Sequence, residues 1–311
     1  MITVLQAQSL TKRYDELTAV ESLSLEVYAG EIFGLLGPNG AGKTTSINMI
    51  CGLLKPDAGQ VTIHGKIITN GDASVRTRVG VCPQNIVLWG QLTCIEQLQF
   101  IGEMYGMRGR AAREKGLRLL KDLDLIEKKD KLARTLSGGM QRRLNLAMAL
   151  VHDPEILILD EPEAGLDPQS RVLVREYVKS LARQKTILLT THNMDEADRM
   201  SDRVAIIDHG RLLIVDTPQA LKLTVGDGDV LEIELDHDIS MESAMQAVTS
   251  ITPQVSTTNH TLIVRARGIV ECLPRIVSAL SGINAHPGAV HLRANTLEDV
   301  FISLTGRRLR E

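Results

Sequence analysis

The sequence predicts an α/β protein in which a large domain built on a mostly parallel sheet precedes a smaller α/β module. Three observations predict it. Up to about residue 222, short apolar runs alternate with amphipathic stretches, the pattern of strands and crossover helices. Between Asn85 and Thr135 the alternation gives way to a helical, strongly charged segment. The Gly226 to Asp229 stretch then marks a loop, after which a second, shorter pattern begins.

The strand candidates of the first block are Glu31 to Leu36, Val79 to Cys82, Ile156 to Leu159, Thr186 to Thr191 and Val204 to Asp208. Leu144, Met148 and Val151 recur at helical spacing, as do Val174, Val178 and Leu181, and both sets read as core faces. Thr93 with Glu96 three residues on is a capping box that opens the charged helical lobe, about residues 85–135. Asp208-His-Gly-Arg211 reads as a hairpin turn, and Thr217-Pro218 as a helix start. The domains are therefore expected at 1–224 and 229–311. In the second, Leu231, Ile233 and Leu235 alternate as in a half-buried strand. A helix (about Met241 to Ser250), a strand (Thr261 to Arg265), a helix (Val270 to Leu280), a strand near Val290 and a helix (Leu297 to Leu304) follow, an α/β or ferredoxin-like module.

Composition narrows the function classes. Of 311 residues, 43% are hydrophobic and 23% charged, which suits packed cores rather than disorder. With 35 basic against 38 acidic residues, bulk charge suggests no nucleic acid and no membrane surface as partner. Cys51, Cys82, Cys94 and Cys272 form no C-x-x-C pair, so reduced thiols are expected rather than zinc or disulfides. The start MITVLQAQSLTKRYDE lacks a signal-like apolar segment, and no apolar run is long enough to span a bilayer.

The chemistry is concentrated in a few motifs. Gly37-Pro38-Asn39-Gly40-Ala41-Gly42-Lys43-Thr44-Thr45 fits G-x-x-x-x-G-K-[ST] between a strand and a helix. Glycines let successive N–H groups turn toward phosphates, the helix N-terminus adds positive potential, Lys43 neutralises phosphate oxygens and Thr44 offers a hydroxyl to Mg²⁺. Ile156 to Asp160 is an apolar strand that delivers a carboxylate at its end, where Asp160 would hold Mg²⁺; Glu161 beside it can orient or deprotonate a water attacking the γ-phosphate. Leu136-Ser137-Gly138-Gly139-Met140-Gln141 opens a helix.

With LSGGMQ the sequence resembles the ATPases of the ABC transporter superfamily over about residues 1–222, and the remaining family motifs occur in order. The resemblance implies ATP and Mg²⁺ as ligands, and a P-loop fold with an antiparallel β subdomain and a helical subdomain around the parallel sheet. It implies that Tyr14 stacks on adenine and that Gln84, in VCPQN, reaches Mg²⁺ and the nucleophilic water and senses a transmembrane partner. By the same resemblance Asp167, in AGLDP, crosses between subunits, and His192 after TILLTT contacts the γ-phosphate. Ser137, Gly138, Gly139 and Gln141 would complete the ATP site of a second copy, making a homodimer with two composite sites.

Glu163 stands where family members commonly carry a small hydroxyl residue; an exposed substitution without effect is the favoured expectation, the alternative being a change in how the Asp167 loop packs across a dimer. Trp89 either lines a docking groove or fills a core, packing being the reading favoured for a large aromatic. AGLDPQSR, TTHNMDEADR and NTLEDVFISLTGRRL look like ATPase subunits of ABC-2 type exporters, among them drug and antibiotic efflux systems. That implies a cytoplasmic subunit peripheral on the inner membrane face through a permease, and a C-terminal domain serving dimerisation or regulation; Arg307, Arg308 and Arg310 read from their charge alone as a solvated basic tip. The alternatives are an importer ATPase, or a non-transport ABC ATPase acting on ribosomes or DNA, although the chain has neither a second nucleotide module nor a long coiled-coil insertion. A GTPase is disfavoured by LSGGMQ and the lack of an N-K-x-D motif.

Overall fold

A computed structural model of the chain describes residues 2–68, 77–225, 229–236, 239–252, 254–258, 260–266 and 268–306. The expected loop residues 226–228 and the basic tip lie outside these. The chain divides into two compact units, Met1–Thr217 and Pro218–Leu309.

In the first unit, β1 (Thr3–Tyr14), β2 (Leu17–Tyr28), β4 (Ala58–Ile63) and β5 (Lys66–Ile67) form an antiparallel sheet in the order β2-β1-β4-β5. The second sheet takes β3 (Ile32–Leu36), β6 (Val79–Cys82), β7 (Ile156–Asp160), β8 (Thr186–Thr191), β9 (Arg203–Asp208) and β10 (Arg211–Asp216) in the order β10-β9-β3-β8-β7-β6. All its neighbours are parallel except β9 and β10. Every residue of β3, β7 and β8 is buried, as a parallel sheet covered on both faces requires. Alternate residues serve different cores. Ile156 and Ile158 pack in the cluster of Phe33, Leu35 and Ile47, whereas Leu157 and Leu159 join Leu144, Leu150 and Val174.

Helix α1 (Lys43–Ile50) follows β3. The helical lobe holds α2 (Cys94–Met104), opened by the expected Thr93/Glu96 capping box, and α3 (Gly109–Asp122). Helices α4 (Gly138–Leu150), α5 (Pro168–Leu181) and α6 (Met194–Met200) return to the sheet. At the β9–β10 hairpin both His209 (φ 46°) and Gly210 (φ 75°) are left-handed, as a tight two-residue turn matched to strand twist demands.

The sheet order positions the site. From β3 the chain crosses to β6 at one edge and works back through β7 to β8, then passes β3 to reach β9. The β3/β8 boundary is therefore where the order reverses, and ligands bind beyond the carboxyl ends of strands at such a point. The segments after β3, β6, β7 and β8 carry Lys43, Gln84, Glu161 and His192.

The second unit begins with α7 (Pro218–Thr224). Strands β11 (Asp229–Leu235), β12 (Gln254–Thr258), β13 (Thr261–Ala266) and β14 (Pro287–Arg293) pair antiparallel in the order β12-β13-β11-β14. With α8 (Met241–Thr249) and α9 (Ile269–Ser281) this is the βαββαβ ferredoxin-like arrangement, followed by α10 (Leu297–Thr305). Leu231, Ile233 and Leu235 face Ala244, Val248, Ile276 and Leu280. The polar edge strand β12 is an addition to the elements read from sequence; QVSTT carries no apolar alternation.

Candidate nucleotide site

The loop between β3 and α1 is shaped by glycines. Gly42 has φ 95°, and a Cβ there would lie 2.4 Å from the Ala19 carbonyl oxygen of β2, so neither the backbone conformation nor the space admits a side chain. The loop curls around the Lys43 ammonium, which donates to the carbonyls of Gly37 (2.9 Å) and Pro38 (3.1 Å). The Ala41 amide donates back to Pro38. Burial pulls the Lys43 pKa below its ordinary value, opposed chiefly by the charge of Glu161, whose carboxylate is 3.4 Å from Nζ.

Glu161 is the convergence point. Its Oε1 lies 3.0 Å from His192 Nδ1, and its Oε2 accepts from Gln84 Nε2 at 3.2 Å. The backbone at Glu161 is left-handed (φ 50°), an uncommon state for a residue with a side chain. The β8 residue Thr190 holds it there, since the Glu161 amide donates to both the carbonyl and the hydroxyl of Thr190, each at 3.1 Å. The same hydroxyl donates to Asp160 Oδ1, and Thr44 Oγ1 donates to Asp160 Oδ2 at 3.1 Å. Thr190 thus orients both carboxylates. The only trace of this in the sequence is the polar end of an otherwise apolar strand.

A cavity of about 650 Å³ opens over these groups, lined by Lys43, Thr44, Thr45, Gln84, Glu161 and His192. Asn39, Gly40 and Gly42 also reach it, and Tyr14, 46% exposed, flanks it with a ring available for stacking. A glycine cradle, a helix N-terminus and a buried ammonium suit a polyphosphate. The Thr44 hydroxyl, the Asp160 carboxylate and the Gln84 amide are hard oxygen donors of the kind Mg²⁺ takes. Among the described residues no group of three His, Cys, Asp or Glu could hold a metal ion.

None of Ser137, Gly138, Gly139, Gln141 and Asp167 lines that cavity. They gather elsewhere. Ser137 caps α4 by accepting from the Met140 amide, and Gly138 is exposed. A Cβ on Gly139 would come 2.7 Å from Ser170 Oγ and 3.2 Å from Asp167 Oδ2. Asp167 caps α5 by accepting from the Ser170 amide, which holds its carboxyl below the usual range. Gln141 turns inward, donating to the carbonyls of Leu136 (3.1 Å) and Ala133 (3.4 Å).

Two expectations are corrected. Glu163 is buried, not exposed: both its oxygens accept from Arg175, at 2.8 and 2.7 Å, a bidentate ion pair that reaches across to α5. Trp89 fills no core; it is 42% exposed and meets Phe100 edge-on at 5.4 Å. Two residues that motif reading overlooks also emerge. Glu196 of α6 is buried, and one of its oxygens accepts from the Thr191 hydroxyl while the other has no hydrogen-bond partner. Burial pushes its pKa up to about 7, with Glu163 and Glu161 adding to the rise. Arg142, in the second turn of α4, is 3% exposed.

The family model for the ABC transporter matches residues 20–164. Nod factor export ATP-binding protein I of Ralstonia nicotianae is 40% identical over 99% of this chain and 95% of its own length. The chain belongs to the ABC transporter family. Linearmycin resistance ATP-binding protein LnrL of Bacillus subtilis is 38% identical over 99% of this chain and its full length. Daunorubicin resistance ATP-binding protein DrrA3 of Streptomyces coeruleorubidus is 36% identical over 99% of this chain and 98% of its own. Among solved structures, the ATP-binding subunit of an ABC transporter superposes with a TM-score of 0.65 at 28% identity, covering 71% of this chain and 93% of that one. A dimeric post-hydrolysis state of the ATP-binding cassette MJ0796, bound to ADP and Pi, does so at 0.63 and 27% identity, covering 68% and 98%. The chain is thus an ATP-binding, ATP-hydrolysing subunit of an ABC transporter, with the α/β fold of an ABC ATPase cassette over the part that the solved structures cover. Such subunits dimerise and work with membrane permeases. Among the described residues of this ABC ATPase no helix is long and apolar enough to cross a membrane.

Proposed function

We propose that this subunit powers an ABC-2 type exporter. Its relatives named for Nod factor export and for linearmycin and daunorubicin resistance support export over import. Two copies would close head to tail on two ATP molecules, each sandwiched between the phosphate loop of one copy and Ser137–Gly138–Gly139 of the other. The observation that carries this reading is the segregation of the motifs. The groups around Glu161 share one cavity, whereas the signature residues and Asp167 form a separate surface whose helix N-terminus favours an anion from outside the chain.

In the proposed site Lys43 and the loop amides bind the phosphate chain, and Tyr14 stacks on adenine. The phosphate chain offers Lys43 and His192 another anion to contact, which frees the Glu161 carboxylate to orient and deprotonate the attacking water. Gln84 would order that water from the opposite oxygen of Glu161. Thr44, Asp160 and Gln84 would hold Mg²⁺, which when bound supplies positive charge to the phosphate oxygens. The exposed Ile86, Val87, Trp89 and Phe100 beside Gln84 would receive the permease on the cytoplasmic membrane face. Residues 1–224 would act as the ATPase and 229–311 as a dimerisation or regulatory module.

Glu161→Gln tests the reading. This variant should bind ATP, fail to turn it over, and accumulate as a dimer in light scattering with ATP and Mg²⁺. A monomer at high protein concentration counts against the composite site, and normal hydrolysis counts against Glu161 as the base. Pull-down of the permease and a substrate-stimulated ATPase assay in vesicles test export.

A further inference from the structure

Arg142 is a buried cation whose five N–H groups all go to backbone carbonyls. Nη1 donates to Pro83 (2.7 Å) and Gln84 (2.8 Å), Nη2 to Asp160 (2.8 Å) and Glu161 (2.6 Å), and Nε to Pro162 (3.3 Å). A guanidinium carries five N–H donors in a rigid planar fork, so its donor capacity is fully used. The five acceptors lie in two short segments, the ones that leave the neighbouring parallel strands β6 and β7. Those segments carry Gln84 and Glu161, whose side chains meet at 3.2 Å in the cavity.

The contact to Glu161 has particular weight. A side-chain-bearing residue persists in the left-handed region only where its surroundings over-determine it. At Glu161 the amide is fixed by Thr190 on one side and the carbonyl by Arg142 on the other. Arg142 also grows from α4, the helix whose first turn is Gly138-Gly139-Met140-Gln141. Its neighbour Arg143 points elsewhere, donating to the carbonyls of Leu123 (2.8 Å) and Asp124 (3.2 Å) at the end of α3 in the helical lobe. Consecutive arginines thus tie one helix to the lobe and to the hydrolytic loops.

We propose that Arg142 is a positioning residue for hydrolysis, setting Gln84 and Glu161 relative to each other and linking both to the signature helix. The inference rests on the assignment of Gln84 and Glu161 to the attacking water. Lysine replaces the fork only in part, since its three donors radiate from one nitrogen and leave at least two of the five carbonyls without a partner. Methionine keeps the apolar stem and removes every donor.

The test uses the purified full-length chain with Arg142→Lys, Arg142→Met, Glu161→Gln and the Arg142→Met/Glu161→Gln pair. Turnover is expressed per ATP bound, so that unfolded protein does not count. Displacing a reacting group by about 1 Å costs on the order of 10²-fold. Arg142→Met should lose about that much in kcat, with KM and binding stoichiometry close to the parent, and Arg142→Lys should recover part of the loss. Compared as single-turnover rates, in which the slow residual hydrolysis of Glu161→Gln is resolved, the double variant should lose at least roughly ten-fold less than the product of the two single losses, as residues acting on one step do. A purely structural role would instead lower binding stoichiometry in step with turnover, and its effect would multiply with that of Glu161→Gln. Either result overturns the inference, as does an Arg142→Met turnover within about three-fold of the parent. Failure of the underlying assignment is read separately, as undiminished hydrolysis by the Glu161→Gln single variant.

Discussion

Replacing Glu196 by glutamine should flatten the pH dependence of this protein's stability. The side chain is 5% exposed, and burial, reinforced by the charges of Glu163 and Glu161, lifts its pKa from 4.5 to about 7. The Thr191 hydroxyl and the Arg175 charge pull the other way and do not compensate. The sign follows from linkage. Between pH 4.5 and 7 the unfolded chain has released this proton while the folded chain retains it, so the folded state loses stability as pH rises through the window. Above pH 7 both states are ionised and the full cost of a buried charge is present. At about 1.4 kcal/mol per pH unit that cost is roughly 3 kcal/mol. Glutamine keeps the shape and an oxygen for the Thr191 hydroxyl but carries no charge. Urea unfolding at pH 5, 6, 7 and 8, followed by fluorescence of Trp89, the single tryptophan, reports on the unit that contains Glu196. The stability of Glu196→Gln relative to the parent should increase by roughly 2.5 kcal/mol from pH 5 to pH 8. A difference constant to within about 1 kcal/mol across that range would refute the assignment of a neutral buried acid.

Two further substitutions probe the supporting groups. Glu163→Ala leaves the largely buried Arg175 without its bidentate partner and should destabilise by about 3 kcal/mol; Glu163→Ala with Arg175→Met should regain most of it, as urea midpoints would record. Thr190→Val preserves shape but removes the hydroxyl shared by Asp160 and the Glu161 amide, so it should cost about 2 kcal/mol in stability and roughly ten-fold in ATPase turnover, measured together on one preparation.

Much of this arrangement is legible in the sequence because it is local. The phosphate loop has a fixed spacing that places Lys43, the buried parallel strands are apolar runs, and Gln84, Glu161 and His192 each follow such a run within two residues. The Thr93 capping box and the His209-Gly210 turn are equally short-range. What escapes is decided by contacts distant in the chain. Arg142 and Arg143 are alike in the sequence and belong to no phosphate-binding motif, and only the convergence of β6 and β7 brings five carbonyls to one of them. Glu163 reads as exposed because its partner lies twelve residues away, on a helix whose rotation the spacing alone does not give. Trp89 was expected in a core on grounds of size, yet its ring lies at the surface beside Phe100.

The left-handed backbone at Glu161 also bears on how this position can change over generations. Valine, isoleucine and threonine are strongly disfavoured by a positive φ before any property of their side chains matters, whereas asparagine, aspartate and glycine are admitted. Of these, only aspartate retains a carboxylate, and it is one methylene short of the reach by which glutamate meets both Lys43 and Gln84. Replacements that the main chain tolerates best are therefore chemically silent ones, so random drift here should yield folded, inactive copies more readily than misfolded ones.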